Sequence, residues 1–236
     1  MSAYTFETIT PEQAAAFGAA DTLSFTAEFA NFSNISVVLS GANITFGFLG
    51  RQVSFGAGFT DQVRTVPIVN GSTFVVGTSA SETFTGTSKT EAIYAGAGND
   101  TLVAGAGDRL AGGDGADLFA FASGVNGAAI LDFKTGDRIA VSTVTPTLTD
   151  YVEEQLGDLS VATNFASTQI ASGALNFVVA AINATTLAVF VDSRGDNTIG
   201  VRFTIENSGL GFIDHLSFIA APAGVLPAPP APPPPT

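Results

Sequence analysis

A nine-residue repeat between residues 77 and 120 limits the folds open to this chain more than any other feature. In register, the copies are GTSASETFT (77–85), GTSKTEAIY (86–94), AGAGNDTLV (95–103), AGAGDRLA (104–111) and GGDGADLFA (112–120). The last copy matches the pattern G-G-x-G-x-D-x-U-x, in which U is a large apolar residue, and the fourth copy fits if it lacks one residue at its fifth position. A short fixed period of this kind predicts a β-roll, in which each repeat forms half a coil.

Two columns of the repeat keep their chemistry in all five copies. The first six residues of a copy are expected to form a tight turn and the last three a short strand, because glycine supplies positive φ values and lets successive backbones stack at sheet spacing. The eighth position is always large and apolar, and the sixth is always acidic. The apolar column is Phe84, Ile93, Leu102, Leu110 and Phe119, and the acidic column is Glu82, Glu91, Asp100, Asp108 and Asp117.

The acidic column indicates calcium. Every second half-coil falls on the same side of a roll, so Asp100 and Asp117 should be neighbours, with Glu82 below Asp100 and Glu91 beside Asp108 on the opposite side. Stacked carboxylates repel each other, and a hard divalent cation between them, completed by backbone carbonyls, converts that repulsion into binding. We expect the best Ca²⁺ site between Asp100 and Asp117. The sites with Glu should be weaker or empty, because Glu is one methylene longer.

The candidate metal-site residues also include the turns that carry these acids. They are Gly96, Gly98, Gly105, Gly107, Gly112, Gly113, Asp114 and Gly115. The alternative is a glycine-rich solenoid with a solvated acidic edge and no metal.

Composition agrees with a cation-binding β protein. The chain has 236 residues, with 26 Gly and 20 Phe, and its 8 Lys and Arg against 21 Asp and Glu give a net charge of −13. Such a charge repels phosphate backbones, so we expect no nucleic-acid partner. The chain has no Cys, so stability must come from packing, hydrogen bonds or bound cations. It also has no apolar run long enough for a transmembrane segment.

The chain divides into three predicted parts, and the fold class is all-β. Residues 1–70 should form a small β-rich domain with one short helix, for which Thr10 is the N-cap and Pro11 the first residue. Its apolar residues, including Phe46, Phe48 and Phe55, should form a core. Residues 71–221 should hold the β-roll and a β-sandwich-like C-terminal part, with a short helix near 150–155. Residues 222–236 are mostly Pro and Ala and predict a disordered tail.

The array resembles the repeats-in-toxin (RTX, haemolysin-type) calcium-binding proteins, and the segment after it is similar to the C-terminal domain of serralysin-type proteases. The similarity rests on the stretches DLFAF (117–121) and ILDFKTGDRI (130–139), and more loosely on residues 175–220. The resemblance implies that Asp132 and Asp137 help to close the end of the roll and its last Ca²⁺ site. It also implies export through a one-step channel, without a cleaved N-terminal signal peptide.

The sequence favours a protein that is not an enzyme. A zinc protease needs two His one helical turn apart, and this chain has only His215. A G-x-S-x-G turn of the kind that serves hydrolases is also absent. The loop from Asp192 to Asn197 has two interpretations, an isolated Ca²⁺ loop or a plain β-turn.

Three functional hypotheses follow. The first is an extracellular structural protein, such as a surface-layer, filament or matrix subunit, which folds on binding Ca²⁺ and assembles with copies of itself. The second is an adhesin or ligand-binding module that contacts a cell surface and uses the roll as a rigid spacer. The third is an accessory domain of a secreted hydrolase.

Overall fold

The computed structural model describes residues 1–141, 147–209 and 213–226, and most of the predicted Pro-rich tail lies outside them. Nearly all of its regular structure is β. The N-terminal elements are β1 (Ala3–Thr5), α1 (Pro11–Ala15), β2 (Thr22–Ser24), β3 (Ile35–Ser40), β4 (Asn43–Phe48), β5 (Arg51–Phe55), α2 (Ala57–Thr60), β6 (Arg64–Pro67) and β7 (Thr73–Val76). The repeats form β8 (Thr83–Thr85), β9 (Glu91–Tyr94), β10 (Thr101–Ala104), β11 (Arg109–Ala111) and β12 (Leu118–Phe121).

The C-terminal part continues as strands around one longer helix. Its elements are β13 (Asn126–Ile130), β14 (Arg138–Val141), β15 (Tyr151–Gln155), α3 (Leu159–Ala171), β16 (Phe177–Asn183), β17 (Thr186–Val191), β18 (Val201–Glu206), a 3₁₀ turn (His215–Ser217) and β19 (Phe218–Ile219). The all-β fold class predicted from the sequence is confirmed.

The repeats form a parallel β-roll, because alternate half-coils enter two different sheets. One sheet has the order β19-β14-β12-β10-β8, and the other has the order β15-β16-β17-β18-β13-β11-β9-β7-β6. The repeat strands pair in parallel, as in the register Phe84, Leu102 and Phe119 across β8, β10 and β12. The eighth-position residues are buried between the two sheets, as predicted from their column.

The N-terminal residues have a core of their own, built mainly of phenylalanine. The predicted core residues Phe46, Phe48 and Phe55 are buried, and Phe46 packs edge-on against Phe55. The sheet that carries them has the order β3-β4-β5. This core also reaches the roll, because Phe74 of β7 packs against Phe46, and β7 pairs in parallel with β9.

The helix start predicted at Thr10 is confirmed, and a second helix prediction is wrong. Thr10 and Gln13 form a reciprocal capping box at the start of α1. Residues 150–155, predicted as a short helix, instead form β15, which pairs in parallel with β16. The helix begins later, at Leu159, where the Asp158 carboxylate accepts backbone N–H bonds from Ser160 and Val161. Its buried face packs on the outer surface of β16 and β17.

Arg64 joins the separate loops of the N-terminal part. Its buried guanidinium donates hydrogen bonds to the backbone carbonyls of Gly18, Asp21, Gly58 and Phe59. It also lies about 5.0 Å from the ring centres of two phenylalanines, at positions 17 and 59. One planar side chain therefore satisfies four carbonyls and stacks on an aromatic core.

We expect Arg64→Lys to lower the free energy of unfolding by about 2 to 4 kcal/mol, because an ammonium group cannot reach all four carbonyls and leaves buried acceptors unsatisfied. Urea denaturation followed by circular dichroism measures the change. Arg202→Lys, on the part-exposed surface of β18, is the matched control. An equal effect of the two substitutions would contradict this role of Arg64.

Candidate metal centre

The sixth-position acids lie in two rows, one on each side of the roll. The strand registers align Glu82, Asp100, Asp117 and Asp137 in one row, because each directly precedes a strand of the same sheet. Glu91 and Asp108 align in the other row. The structure therefore brings together the pairs that the period predicts, and it adds Asp137 at the end of the first row.

A backbone hydrogen bond connects each Asp of the two rows to the coil before it. Asp100 Oδ1 accepts the N–H of Glu82 at 2.7 Å, Asp117 Oδ1 accepts the N–H of Asp100 at 2.9 Å, and Asp137 Oδ1 accepts the N–H of Asp117 at 2.9 Å. In the second row, Asp108 Oδ1 accepts the N–H of Glu91 at 2.8 Å. The rows are therefore part of the backbone bonding of the roll, and their carboxylates are held in fixed positions.

Glycine is required where the turns stack. Gly113 has φ of +84° and Gly115 has φ of +125°, values that L-residues with a side chain rarely adopt. A Cβ on Gly113 would overlap the carbonyl oxygen of Gly96, and a Cβ on Gly115 would overlap that of Gly98. The turns of successive coils therefore lie in backbone contact, which places carbonyl oxygens beside the acidic rows.

The two Glu turns satisfy their own acids. The carboxylate of Glu82 accepts the N–H and the hydroxyl of Thr78, and that of Glu91 accepts the same two groups of Thr87. The longer Glu side chain thus reaches back four residues within its own turn, to a Thr that stands where the repeat pattern has its second Gly. Because these Glu carboxylates already have donors within their own turns, weaker or empty Glu sites remain our prediction.

Asp100 is different, because one of its carboxylate oxygens has no partner. Its side chain is only 1% exposed, and among the described residues Oδ2 is a buried atom without a hydrogen bond. An unpaired buried carboxylate oxygen carries a large desolvation penalty unless a cation or a proton meets it. Asp100 is therefore the position in the row where a buried carboxylate oxygen has no partner among the described residues.

Burial raises the pKa of Asp100 in the first row and of Asp108 in the second. Burial raises the pKa of Asp100 to about 6, although the hydrogen bond from the Glu82 amide lowers it. The neighbouring charge of Asp117 raises this pKa further. Burial likewise raises the pKa of Asp108 to about 6, against the hydrogen bonds from Glu91 and Gly105. The protein without a cation therefore holds acids whose charged form is disfavoured.

The two residues carried over from the serralysin-type resemblance lie at the end of the roll. The carboxylate of Asp132 accepts the N–H groups of Gly112 and Gly113 at 2.9 and 2.8 Å. Asp137 completes the first row, and the ammonium of Lys134 lies 3.2 Å from Asp117 Oδ2 and 3.5 Å from Asp137 Oδ1. The Lys134 contact has no counterpart in the sequence prediction, because it depends on how the chain returns from β13 to β14.

The loop from Asp192 to Asn197 uses its acid internally. The Asp192 carboxylate accepts the N–H groups of Arg194, Gly195, Asp196 and Asn197 at 2.8 to 3.2 Å. Of the two interpretations of this loop, the geometry favours the β-turn, because both oxygens already bind backbone amides. His215 lies apart from this loop, at the start of the 3₁₀ turn, with its ring 6.3 Å from that of Tyr151.

The donor set fits calcium, provided that the backbone takes part. Within the described ranges, no three His, Cys, Asp or Glu side chains converge in a group that could hold a metal ion. A site here must therefore combine one or two carboxylates with backbone carbonyls or water, all hard oxygen donors of the kind that Ca²⁺ prefers. Asp100, Asp117 and the carbonyls of the glycine turns are the groups that would hold it.

Comparison with known proteins identifies the repeat. The family model for the RTX calcium-binding nonapeptide repeat, which contains four copies, matches residues 76–110 and, one repeat further on, residues 85–119. Residues 76–119 are an array of RTX calcium-binding nonapeptide repeats. The β-roll predicted from the repeat and its resemblance to RTX proteins are thus confirmed, and the array is a calcium-binding module that is not itself catalytic.

Solved structures that resemble the chain include two from bacteria. The AlgE6R3 subunit of the mannuronan C5-epimerase from Azotobacter vinelandii is 26% identical with a TM-score of 0.43, and the match covers 69% of this chain and 90% of that one. The extracellular lipase LipA from Serratia marcescens is 12% identical with a TM-score of 0.28, and the match covers 85% of this chain and 32% of the lipase. No curated protein matches the sequence.

The raised pKa values of Asp100 and Asp108 predict an unusual pH dependence for the protein without calcium. Because the folded state holds these protons up to about pH 6 and the unfolded state releases them near pH 4, stability falls as the pH rises through this window. We expect each Asp to contribute about 1 kcal/mol of added stability at pH 5 relative to pH 7.

Urea denaturation of protein dialysed free of calcium, at pH 5, 6 and 7, measures this trend. Asp100→Asn is the matched variant, because its amide cannot ionise, and its stability should change less with pH. A wild-type stability that stays constant or rises from pH 5 to pH 7 would contradict the interpretation of Asp100 and Asp108 as buried acids with raised pKa values.

Proposed function

We propose that this chain is a secreted calcium-binding structural protein, a surface-layer, filament or matrix subunit, which folds when Ca²⁺ binds its RTX roll and then assembles with copies of itself. The observation that carries the calcium step is the unpaired, buried Oδ2 of Asp100 beside Asp117. RTX repeat proteins are typically extracellular, and no helix in the described ranges has the length and hydropathy needed to cross a bilayer. We propose an extracellular location from the RTX array alone.

The mechanism is linkage between binding and folding. Many extracellular calcium sites have dissociation constants of roughly 10⁻⁴ to 10⁻³ M. When the free Ca²⁺ concentration is far below this range, the buried acids oppose folding. At higher concentrations the ions bind the folded state alone and stabilise it by about 1 kcal/mol per site at several times the dissociation constant. The chain's own residues hold the carboxylate oxygen atoms in position before the ion binds, through the hydrogen bonds that backbone amides donate to the acidic rows.

Assembly is supported by an unprotected sheet edge in the N-terminal part. Strand β3 is an edge of the β3-β4-β5 sheet, and the chain carries no charged residue from Phe29 to Gly50. Val38 on this edge is 58% exposed. Natural edge strands are usually guarded by charges, Pro or bulges, so an apolar, uncharged edge favours the addition of a strand from another molecule.

A cleft beside β3 supports the adhesin alternative. It has a volume of about 900 Å³, and it is lined by Val37, Val38 and Leu39 on one side and by Tyr94 and Arg109 of the roll on the other. A cleft of this size, with apolar residues on β3 and charged groups such as Arg109, Asp132 and Glu206 in its lining, suits a small polar ligand or the end of a glycan chain. In either case we propose that the chain acts by binding and not by catalysis.

Calcium removal tests the folding step. We expect Ca²⁺ at several millimolar to raise the thermal melting midpoint of the wild type above its value in EGTA, with a gain in far-UV dichroism. Asp100→Asn should lose the stabilisation from one site, about 1 kcal/mol, whereas the exposed Glu154→Gln on β15 should behave as the wild type. Melting curves that are the same in Ca²⁺ and EGTA would contradict the proposed function.

Electron microscopy tests assembly separately. In Ca²⁺ the wild type should form ordered assemblies, and Val38→Lys should remain dispersed while keeping the wild-type melting midpoint, because the charge guards the edge without touching the roll. Val161→Lys, at an exposed position of α3, is the control for added charge. Dispersed wild-type monomers in Ca²⁺ would favour the adhesin alternative over assembly.

A further inference from the structure

We infer that the ammonium group of Lys134 takes the place of a calcium ion at the end of the first acidic row, so that the last inter-coil gap is closed without metal. This inference rests on the proposed calcium role of the roll and deepens it, because it specifies which gap is left for the ion.

The contacts of Lys134 are those expected of a bound cation. Its Nζ binds the carbonyl oxygen of Gly113, and it lies 3.2 Å from Asp117 Oδ2 and 3.5 Å from Asp137 Oδ1. Both carboxylates are buried, whereas the lysine side chain is 36% exposed and reaches in from the surface. Two carboxylates from successive coils and one glycine-turn carbonyl are the oxygen donors that a hard cation selects.

The neighbouring gap repeats this arrangement without a lysine. Moving back by one coil replaces Gly113 with Gly96, Asp117 with Asp100 and Asp137 with Asp117, since these residues align in the parallel register and in the bridge from Ala97 to Asp114. The atom equivalent to the oxygen that Lys134 meets on Asp117 is Asp100 Oδ2. This is the buried oxygen that has no partner among the described residues.

The residue that replaces Lys134 in the neighbouring gap has the opposite charge. Lys134 lies three residues before Asp137, and three residues before Asp117 stands Asp114, which is exposed. One gap therefore contains a cation supplied by the chain, and the other has an acidic residue at the corresponding sequence position. The same donor geometry thus occurs twice, once with its cation in place and once with a deficit of positive charge.

Two consequences follow for calcium. The gap between Asp100 and Asp117 is the one that requires an external ion, while the gap between Asp117 and Asp137 stays closed when calcium is withdrawn. Lys134 is thus a positioning residue that sets how many ions the row takes and keeps its C-terminal end joined to β14.

Removal of the ammonium group tests this assignment in the full chain. We expect Lys134→Met to bind one more Ca²⁺ per chain than the wild type, measured by equilibrium dialysis against calcium chloride with elemental analysis. In EGTA its melting midpoint should fall by roughly 5 to 10 °C, because two buried carboxylates then face each other with no cation between them. In excess calcium most of this loss should be restored.

The only other lysine of the chain, Lys89, provides the control. It is exposed in a turn of the same roll, so Lys89→Met should keep the wild-type ion count and midpoint. Lys134→Gln, which is also neutral but carries an oxygen donor, is the second variant if the Met variant fails to fold, and it too should gain an ion.

The outcomes separate this inference from the proposed function. A wild type that binds no calcium would overturn the proposed function and, with it, the assignment of Lys134 as a calcium substitute. A wild type that binds calcium, together with Lys134 variants that gain no ion and melt in EGTA like Lys89→Met, would overturn the assignment of Lys134 alone. A count higher by one in both Lys134 variants would support it.

Discussion

The three Asp carboxylates of the first acidic row each accept a backbone N–H from the coil before them, and the rest of the roll depends on this bond. Because the bond fixes each acid next to the following one, the row cannot spread its charges apart as a solvated acidic edge would. Each of these Asp side chains therefore both connects two coils and is a buried acidic group. Whatever neutralises the charge also decides whether the coils stay together.

The carboxylates of the row differ in the partners that the protein provides for them. At Glu82 the turn supplies its own donors from Thr78, and at Asp137 the chain supplies the ammonium of Lys134. At Asp100 the described residues supply the Glu82 amide to Oδ1 but no partner to Oδ2. The two ends of the row are therefore satisfied from within, and the unanswered charge is concentrated in the middle. The row therefore requires a cation at one gap, between Asp100 and Asp117. A cation bound there would hold β10 and β12 together in the sheet.

Much of the roll could be predicted from the sequence because each of its rules is local. The period fixes which residues align, the alternation within each strand fixes which of them face the core, and glycine marks the turns that stack. The strands of the N-terminal sheet were predictable for the same reason, since their apolar runs are short and bounded by Asn, Ser and Gly. The rows of acids followed directly from the register.

The features that sequence reasoning missed depend on contacts between distant segments. Residues 150–155 alternate too little to distinguish a strand from a helix turn, and they become β15 because β16 offers an edge to pair with. The helix α3 was signalled by Asp158 and by the apolar spacing of Ala162, Ala166 and Ile170, but its many Thr, Ser and Asn residues obscured it. Lys134 lies outside the nonapeptide pattern, although its position three residues before Asp137 was a usable signal.

The link between the roll and the N-terminal sheet gives calcium an influence beyond the repeats. Strand β7 pairs with β9 on one side and with β6 on the other, and Phe74 of β7 packs against both Phe46 and Tyr94. If the roll unfolds without its ion, β7 loses its parallel partner, and the phenylalanine core loses the wall formed by β9. On the proposed function, ordering of the acidic row therefore stabilises the sheet that presents β3. Assembly through that edge would then depend on calcium although no ion touches it, because the roll and the β3-β4-β5 sheet share one phenylalanine core through Phe74.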